Sequence, residues 1–267
     1  MKYLITNADD FGYRPDISRG IIQAHTLGVL KSTTVLVNFI SQEEITALRS
    51  VPNLGLGLHL NLTSGEPLTK NWKEKYGSFS RPQRNQPQQF DRNLWISHFE
   101  RFSTEDVLIE YQAQLHRFME LFGQVPTHLD THHYTSVYEG VFPAYVQLAK
   151  ENNLPVRLPV IWQTGDKQHP MGDVVASELH SYRVVTELGL KSASYFSTKY
   201  LNRFDNWLEI LGEELSQIDD KQVLELSFHP GFEEDWRKKD LDILINTQTR
   251  DLLKKMQVEL ITYAQLP

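Results

Sequence analysis

Strand-length apolar segments alternate with helix-length amphipathic segments along the whole chain, which is the pattern of repeated βα units. The sequence predicts strands near residues 2–8, 33–38, 54–60, 127–132, 155–159, 193–197, 223–229 and 258–263. It predicts helices near residues 16–29, 41–50, 104–122, 139–152, 205–218 and 240–256. About eight strands in 267 residues favour an α/β fold, an irregular (β/α) barrel similar to a TIM barrel, over the alternative of a doubly wound sheet.

Local signals indicate where some helices begin and end. Ser41 and Glu44 have the spacing of a capping box, and Thr104 is a candidate N-cap for the helix over 104–122. Gly123 is placed to end that helix.

One segment, at about 64–98, departs from the βα pattern and is predicted as an insertion in a single domain that spans 1–267. A segment of this length is either a functional lid or a mobile surface loop. Its aromatic residues would suit the faces of sugar rings if the segment folds over a site, and otherwise they would anchor it: Trp72, Tyr76, Phe79 and Trp95.

Charge and hydropathy exclude several classes of partner. The net charge of −7 disfavours binding to nucleic acid, because a phosphate backbone would be repelled. No apolar run approaches the roughly 20 residues of a membrane span. The first residues turn polar at Asn7, too early for a signal peptide, so the expected location is the cytoplasm.

Four of the predicted strands end in ionisable or metal-ligating residues. Asp9 and Asp10 follow the first strand, and His59 ends the third. The stretch 128–132 (HLDTH) ends the fourth, and His229 precedes a Pro-Gly turn. The carboxyl ends of barrel strands converge on one mouth, where active sites are built. The sequence therefore predicts that these side chains meet in one site.

Each of these residues also has a structural explanation. Two aspartates before a glycine are typical of an Asx turn, and a lone strand histidine is more often a hydrogen-bonded residue than a ligand. Alternation along an extended chain directs Asp9 and Asp10 to opposite sides, so that one is available to a metal and the other to substrate or water. His128 and His132 are about 13 Å apart on an extended strand, so both reach one ion only if the chain bends.

The residue types favour hydrolysis by a metal-activated water. The chain has no cysteine, no G-x-S-x-G nucleophile motif and no glycine fingerprint for a nucleotide. One aspartate and two histidines from separate strands would form a divalent-metal site with open positions. Such an ion lowers the pKa of a bound water and polarises a carbonyl, while a nearby carboxylate acts as base and a histidine as acid.

The motifs together resemble the YdjC-like carbohydrate deacetylases, a family that includes the chitooligosaccharide deacetylases. The resemblance extends over nearly the whole chain in family order, through residues 7–12 (NADDFG), 32–38 (STTVLVN), 57–59 (GLH), 127–133 (THLDTHH) and 228–231 (FHPG).

The resemblance implies an irregular (β/α) barrel that holds a divalent metal, usually Mg²⁺, with Zn²⁺ as the alternative. The matching motifs imply that Asp10, His59 and His132 hold the ion. His128 would then lie behind the ligands or serve as an alternative ligand.

The resemblance also implies the reaction, which is removal of an N-acetyl group from an acetylated oligosaccharide that contains N-acetylglucosamine, with release of acetate. Asp9 would be the base and His229 the acid. In the family the histidine cluster often continues as HHHVH, whereas this chain has HHYTS at 132–136, which leaves the exact sugar open.

Two other functions remain open at this stage. One is hydrolysis of a glycosidic or phosphate ester bond in a phosphorylated disaccharide, for which Asp130 or Glu225 would be the second carboxylate of a glycosidase. The other is metal-assisted sugar binding without catalysis. Arg157 would meet an anionic substrate group or simply be solvated, and a homodimer is the general expectation for such enzymes.

Overall fold

The long first strand is the centre of a parallel sheet. In the computed structural model, residues 1–80, 92–158, 181, 183–198 and 204–267 are described. The strands are β1 (Lys2–Phe11), β2 (Ser32–Val35), β3 (Gly55–Leu60), β4 (Leu129–Thr131), β5 (Tyr195–Ser197), β6 (Val223–Phe228) and β7 (Val258–Leu260). Almost every side chain of β1 is buried, as expected for a parallel strand covered on both faces.

The strands follow one another around a curve in chain order. The sheet order is β4-β3-β2-β1-β6-β5, and every pair is parallel. On the far side of β4, Leu129 pairs with Val156, whose N–H donates to the Lys191 carbonyl at 2.8 Å, a few residues before β5. This continuity confirms an irregular (β/α) barrel and not a doubly wound sheet, in which the strand order would reverse.

Two strands make the barrel irregular. The predicted strand over 155–159 is reduced to the single bridge at Val156, and residue 159 lies outside the described residues. Among the described residues, the last strand, β7, pairs only with the start of β1 at Lys2–Leu4, below the point where β2 joins the same edge at Asn7. The barrel mouth at the carboxyl end of β1 is therefore bordered by β2 and β6.

Helices follow the strands, as the alternating sequence pattern predicts. They are α1 (Pro15–Leu27), α2 (Gln42–Arg49), α3 (Lys70–Tyr76), α4 (Arg92–Glu100), α5 (Thr104–Phe122), α6 (Phe142–Asn152), α7 (Trp207–Gln217), α8 (Asp235–Ile245) and α9 (Thr247–Lys255). None of the described helices is long and apolar enough to cross a membrane.

The helix ends agree with the sequence in part. The capping box of Ser41 and Glu44 begins α2, and Gly123 ends α5 in the left-handed conformation. The predicted cap Thr104 is wrong, because Ser103 accepts the hydrogen bond from the backbone N–H of Asp106 and Thr104 is already helical. The single helix predicted over 240–256 is two helices, since the Asn246 side chain caps α9.

The insertion predicted at 64–98 contains α3 and α4, and residues 81–91 lie outside the described part. Trp72, Phe79 and Trp95 are buried in the main hydrophobic core. The Tyr76 hydroxyl donates to Asp106 at the start of α5. These aromatic residues anchor the insertion and do not offer their faces to a sugar.

We predict that the glycine at position 57 is required by packing. An added Cβ there would lie 2.3 Å from His128 Cε1 and 2.7 Å from Thr34 Cγ2, both on buried side chains. We expect Gly57→Ala to lower the free energy of unfolding by about 1–3 kcal/mol in urea denaturation.

Gly212 in α7 is the matched control, because an added Cβ there meets nothing within 4 Å. Gly212→Ala should raise the stability by about 0.5–1 kcal/mol, as expected for a helix interior. Equal effects of the two substitutions would contradict this description of the core.

Candidate metal centre and active site

A bulge at the end of β1 turns two consecutive aspartates towards the barrel mouth. The pairing of β1 with β2 shifts register between Ala8 and Phe11, and Asp10 adopts a φ of 72°. Alternation predicts opposite directions for Asp9 and Asp10, but the bulge brings both side chains, buried, into one polar cluster. The two carboxylates nevertheless have different neighbours: Asp9 pairs with Arg157, and Asp10 pairs with Arg237 and His132.

Three predicted ligands meet at the mouth. Asp10 Oδ1 lies 3.0 Å from His132 Nδ1 and 3.5 Å from His59 Nε2, and the two histidine nitrogens are 3.3 Å apart. An ion with bonds of about 2.1 Å places neighbouring ligands roughly 3.0 Å apart in octahedral geometry and roughly 3.4 Å apart in tetrahedral geometry. The spacing of these three atoms fits such an ion.

The remaining polar atom of each ligand has a protein partner. His59 Nδ1 lies 2.6 Å from Asp130 Oδ1, which directs Nε2 to the centre. Arg237 donates to Asp10 Oδ2 at 2.8 Å, and His132 Nε2 lies 3.4 Å from the Ser64 hydroxyl. Partners of this kind orient metal ligands before the ion arrives.

The chain bends sharply after β4, which brings His132 to the centre. His133 and Tyr134 both have positive φ, at 56° and 55°, in the short helical turn that follows the strand. The His133 ring contacts that of His132 in a tilted arrangement with centroids 3.8 Å apart, and its Nδ1 lies 2.7 Å from the Thr63 hydroxyl. Left-handed backbone at two adjacent non-glycine residues is costly and typical of functional sites.

His128 is not a member of the ligand cluster. Its ring is buried against Gly57 and stacks on Tyr263 with centroids 3.7 Å apart, and its Nδ1 lies 3.1 Å from the Thr127 hydroxyl. Burial lowers the pKa of His128 well below its ordinary value, so the ring is neutral. Of the two ends of the stretch 128–132, His132 lies with Asp10 and His59, and His128 lies outside that cluster.

A second group surrounds Asp9. Arg157 donates to both of its oxygens at 2.8 Å, Asn7 donates to Oδ1 at 2.9 Å, and the Ser227 hydroxyl donates to Oδ2 at 3.1 Å. Burial alone would raise the pKa of Asp9, but the charge and hydrogen bonds of Arg157 outweigh it and hold that pKa well below its usual range. Asp9 is therefore an anion with its lone pairs largely engaged.

Arg157 was expected to be solvated or to meet an anionic substrate, and the structure corrects this. It is buried and also pairs with Asp130 at 2.9 Å and with Glu225 at 2.8 Å. Glu225 accepts a further hydrogen bond from the Tyr263 hydroxyl, and burial raises the pKa of Glu225 to about 7. Asp130 and Glu225 are therefore both fully buried and engaged.

His229 stands between the two aspartates and the entrance. Its Nε2 lies 3.8 Å from Asp9 Oδ2 and its side chain is 23% exposed. Its backbone N–H donates to Asp240 at 2.7 Å, and its carbonyl accepts from Arg237 at 3.2 Å. Burial lowers the pKa of the His229 imidazole, and burial raises the pKa of Asp240 to about 7.

Comparison with known proteins identifies the family. A family model described as YdjC-like protein matches residues 3–255, which is most of the chain. The chain belongs to the YdjC family. The family predicted from the sequence motifs is thereby confirmed.

The relatives of this YdjC-like protein carry deacetylase names. It is 32% identical to carbohydrate deacetylase 2 of Listeria innocua serovar 6a, with 99% of this chain and 98% of the relative covered. It is 28% identical to the chitooligosaccharide deacetylase of Proteus mirabilis, with 98% of each chain covered. These names agree with the hydrolase class that the sequence predicts.

A solved structure shows the same fold. A candidate cellobiose-phosphate cleavage protein from Enterococcus faecalis V583 superposes with a TM-score of 0.75 at 24% identity, with 99% of this chain and 98% of that chain covered. At this identity the likeness concerns the fold alone, and it confirms the predicted α/β barrel.

The sequence did not predict that Arg157 and Arg237 are buried partners of the carboxylates at the site. Arg157 lies in the apolar run 154–160 (LPVRLPV), and a charged residue in a predicted buried strand requires a partner, so a signal was present. Arg237 and Asp240 lie on α8 among other charged residues, where nothing local distinguishes a buried charge from a solvated one.

We predict a pH-dependent stability of the metal-free protein. Burial would lower the pKa of His59, but Asp130 and Asp10 raise it from 6.5 to about 10. The stabilisation from this charged imidazole is complete below pH 6.5 and is lost as the pH rises to about 10. We expect the free energy of unfolding, measured with a chelator present, to fall more steeply over this range for wild type than for His59→Gln.

The difference between the two slopes is at most about 1.4 kcal/mol per pH unit for one proton. Parallel curves for the wild type and His59→Gln would contradict a charged His59 in the metal-free site.

Proposed function

We propose that this protein is a metal-dependent hydrolase that removes N-acetyl groups from N-acetylglucosamine-containing or chito-oligosaccharides and releases acetate. The observation that carries the proposal is the triangle of Asp10 Oδ1, His59 Nε2 and His132 Nδ1 beside Asp9. The deacetylase names of the relatives support the substrate class. The cytoplasmic location and the homodimer remain predictions from the sequence.

In this proposal Asp10, His59 and His132 hold a divalent ion, with His128 outside the ligand set. When bound, the ion would lower the pKa of a water and polarise the acetamide carbonyl. The resemblance to the family favours Mg²⁺, whereas two imidazole ligands also suit Zn²⁺, and the ligand spacing fits both.

Asp9 is proposed as the base. Because Arg157 lowers its pKa, Asp9 is a weak proton acceptor, which is sufficient only for a water that is already acidified. The bidentate contact with Arg157 also fixes the direction of the carboxylate, so its position does not depend on substrate. Asp9 thus acts with the metal and not in place of it.

His229 is proposed as the acid for the leaving amine. Its imidazole is neutral in the free protein, because burial lowers its pKa, and its Nε2 lies 3.8 Å from Asp9 Oδ2. It can therefore take up the proton that Asp9 removes from water and deliver it to the sugar nitrogen as the C–N bond breaks. The Asp240 carboxylate, 3.9 Å from Nδ1, would stabilise the imidazolium.

The geometry does not favour a glycosidase. Glycosidases use two carboxylates on opposite sides of the scissile bond. Asp130 and Glu225, the carboxylates that the sequence offered for this purpose, are 0% exposed and are held by Arg157. Among the described residues, Asp9 therefore lacks the open partner that such a mechanism requires.

Acetate release is the direct test of the proposed function. We expect the purified protein to release acetate from N,N′-diacetylchitobiose with added Mg²⁺ or Zn²⁺, and to lose this activity after chelation. Cleavage of the disaccharide or of a phosphate ester without acetate, or sugar binding without turnover, would reject deacetylation in favour of the other two functions.

Two substitutions separate the proposed roles. Asp9→Asn should keep the bound metal but lose about 10²–10⁴-fold in kcat, the usual contribution of a general base. His59→Ala should lose the metal, measured by elemental analysis after dialysis. Asp219→Asn, at an exposed aspartate, is the control that should keep both metal and activity. An active Asp9→Asn protein would contradict the role given to this residue.

A further inference from the structure

The loop after β6 and the first turn of α8 each expose one large aromatic side chain, Phe232 and Trp236. Phe232 is 37% exposed and Trp236 is 39% exposed, and in the described part of the chain they are the only aromatic residues among the exposed large hydrophobic ones. Both follow His229 by a few residues. Exposed apolar side chains that cluster beside a site are more informative than scattered ones.

The loop is held firmly by its surroundings. A Cβ added to Gly20 of α1 would lie 2.9 Å from the Gly231 backbone, so helix and loop are in close contact. The Phe232 N–H donates to Asp16 Oδ2 at 3.4 Å, and the Glu234 carboxylate pairs with Arg14. The aromatic side chains are therefore presented on a fixed backbone.

Trp236 lies next to the proposed acid. Its ring centroid is 5.6 Å from that of His229, and the Arg237 guanidinium carbon lies 4.3 Å from the centroid of the indole. Arg237 is buried and bound to Asp10, so the indole rests on a side chain that is itself immobilised. The exposed part of Trp236 and the exposed edge of His229 thus border the same entrance.

We propose that Trp236, assisted by Phe232, is the platform for the sugar ring adjacent to the one whose acetamide is hydrolysed. The inference rests on the proposed function, which places the leaving amine at His229. A sugar linked to that unit extends outward past His229, where the C–H face of a pyranose packs on an indole. The site would therefore select oligosaccharides over free N-acetylglucosamine.

The test compares kcat/KM for N,N′-diacetylchitobiose and N-acetylglucosamine in wild type and Trp236→Ala. We expect the preference for the disaccharide to fall about 3- to 10-fold, mainly through KM, which is the range for one aromatic contact. Trp236→Phe keeps a ring and should restore part of the preference, and Phe232→Ala should lower it less. Leu27→Ala removes an exposed apolar side chain at the far end of α1 and should leave the preference unchanged.

An unchanged preference in Trp236→Ala, with acetate still released, rejects the platform and leaves the proposed function intact. If Trp236→Ala lowers kcat/KM equally for both sugars and shifts the pH profile of kcat/KM, the platform is also rejected, because Trp236 would then act through His229. If the wild type releases no acetate, the proposed function fails, and calorimetric binding of the disaccharide decides on the platform. Weaker binding by Trp236→Ala than by Leu27→Ala then supports it, and equal binding rejects it.

Discussion

The site depends on the ion pairs that the Arg157 guanidinium makes with three buried carboxylates. The guanidinium pairs with Asp9 of β1, Asp130 of β4 and Glu225 of β6, which would be more costly to bury without a cation among them. Arg157 follows Val156, the residue that continues the barrel beyond β4. The same short segment therefore continues the ring of strands and supplies a cation to the carboxylates at its mouth.

Near this cation, hydrogen bonds to neighbouring side chains hold the outer polar atoms of His59 and Asp10. Asp130 accepts a hydrogen bond from His59 Nδ1, and Arg237 donates a hydrogen bond to the outer oxygen of Asp10. Asp10 and His59 are each left with one atom facing the centre, while two hydrogen bonds from Arg157 orient Asp9. Such preorganisation means that little reorganisation accompanies binding or reaction. The two aspartates therefore differ in their surroundings: Asp10 lies with His59 and His132 and is held by Arg237, whereas Asp9 is held by Arg157.

Much of this could be predicted from the sequence. The alternating pattern located most strands within a few residues, and the strand ends grouped Asp9, Asp10, His59, the stretch 128–132 and His229. The resemblance to the family, and not the pattern, singled out Asp10, His59 and His132, which lie together in the structure. The wrong predictions concern helix ends. Ser103, and not the adjacent Thr104, caps α5, and a new helix begins after Asn246 within the segment predicted as one helix. Periodicity cannot resolve these, because adjacent residues with similar capping ability differ only in the backbone that the rest of the fold imposes.

The sequence by itself determined the βα architecture and the residue types at the strand ends, and therefore a site built from carboxylates and imidazoles. Only the tertiary structure decided which direction each side chain takes. A bulge brings Asp9 and Asp10 into one polar cluster, and a bend after β4 brings His132, but not His128, to Asp10 and His59. The decisive partners lie 148 and 227 residues away along the chain, and a local pattern carries no information about charges that meet only when the barrel forms.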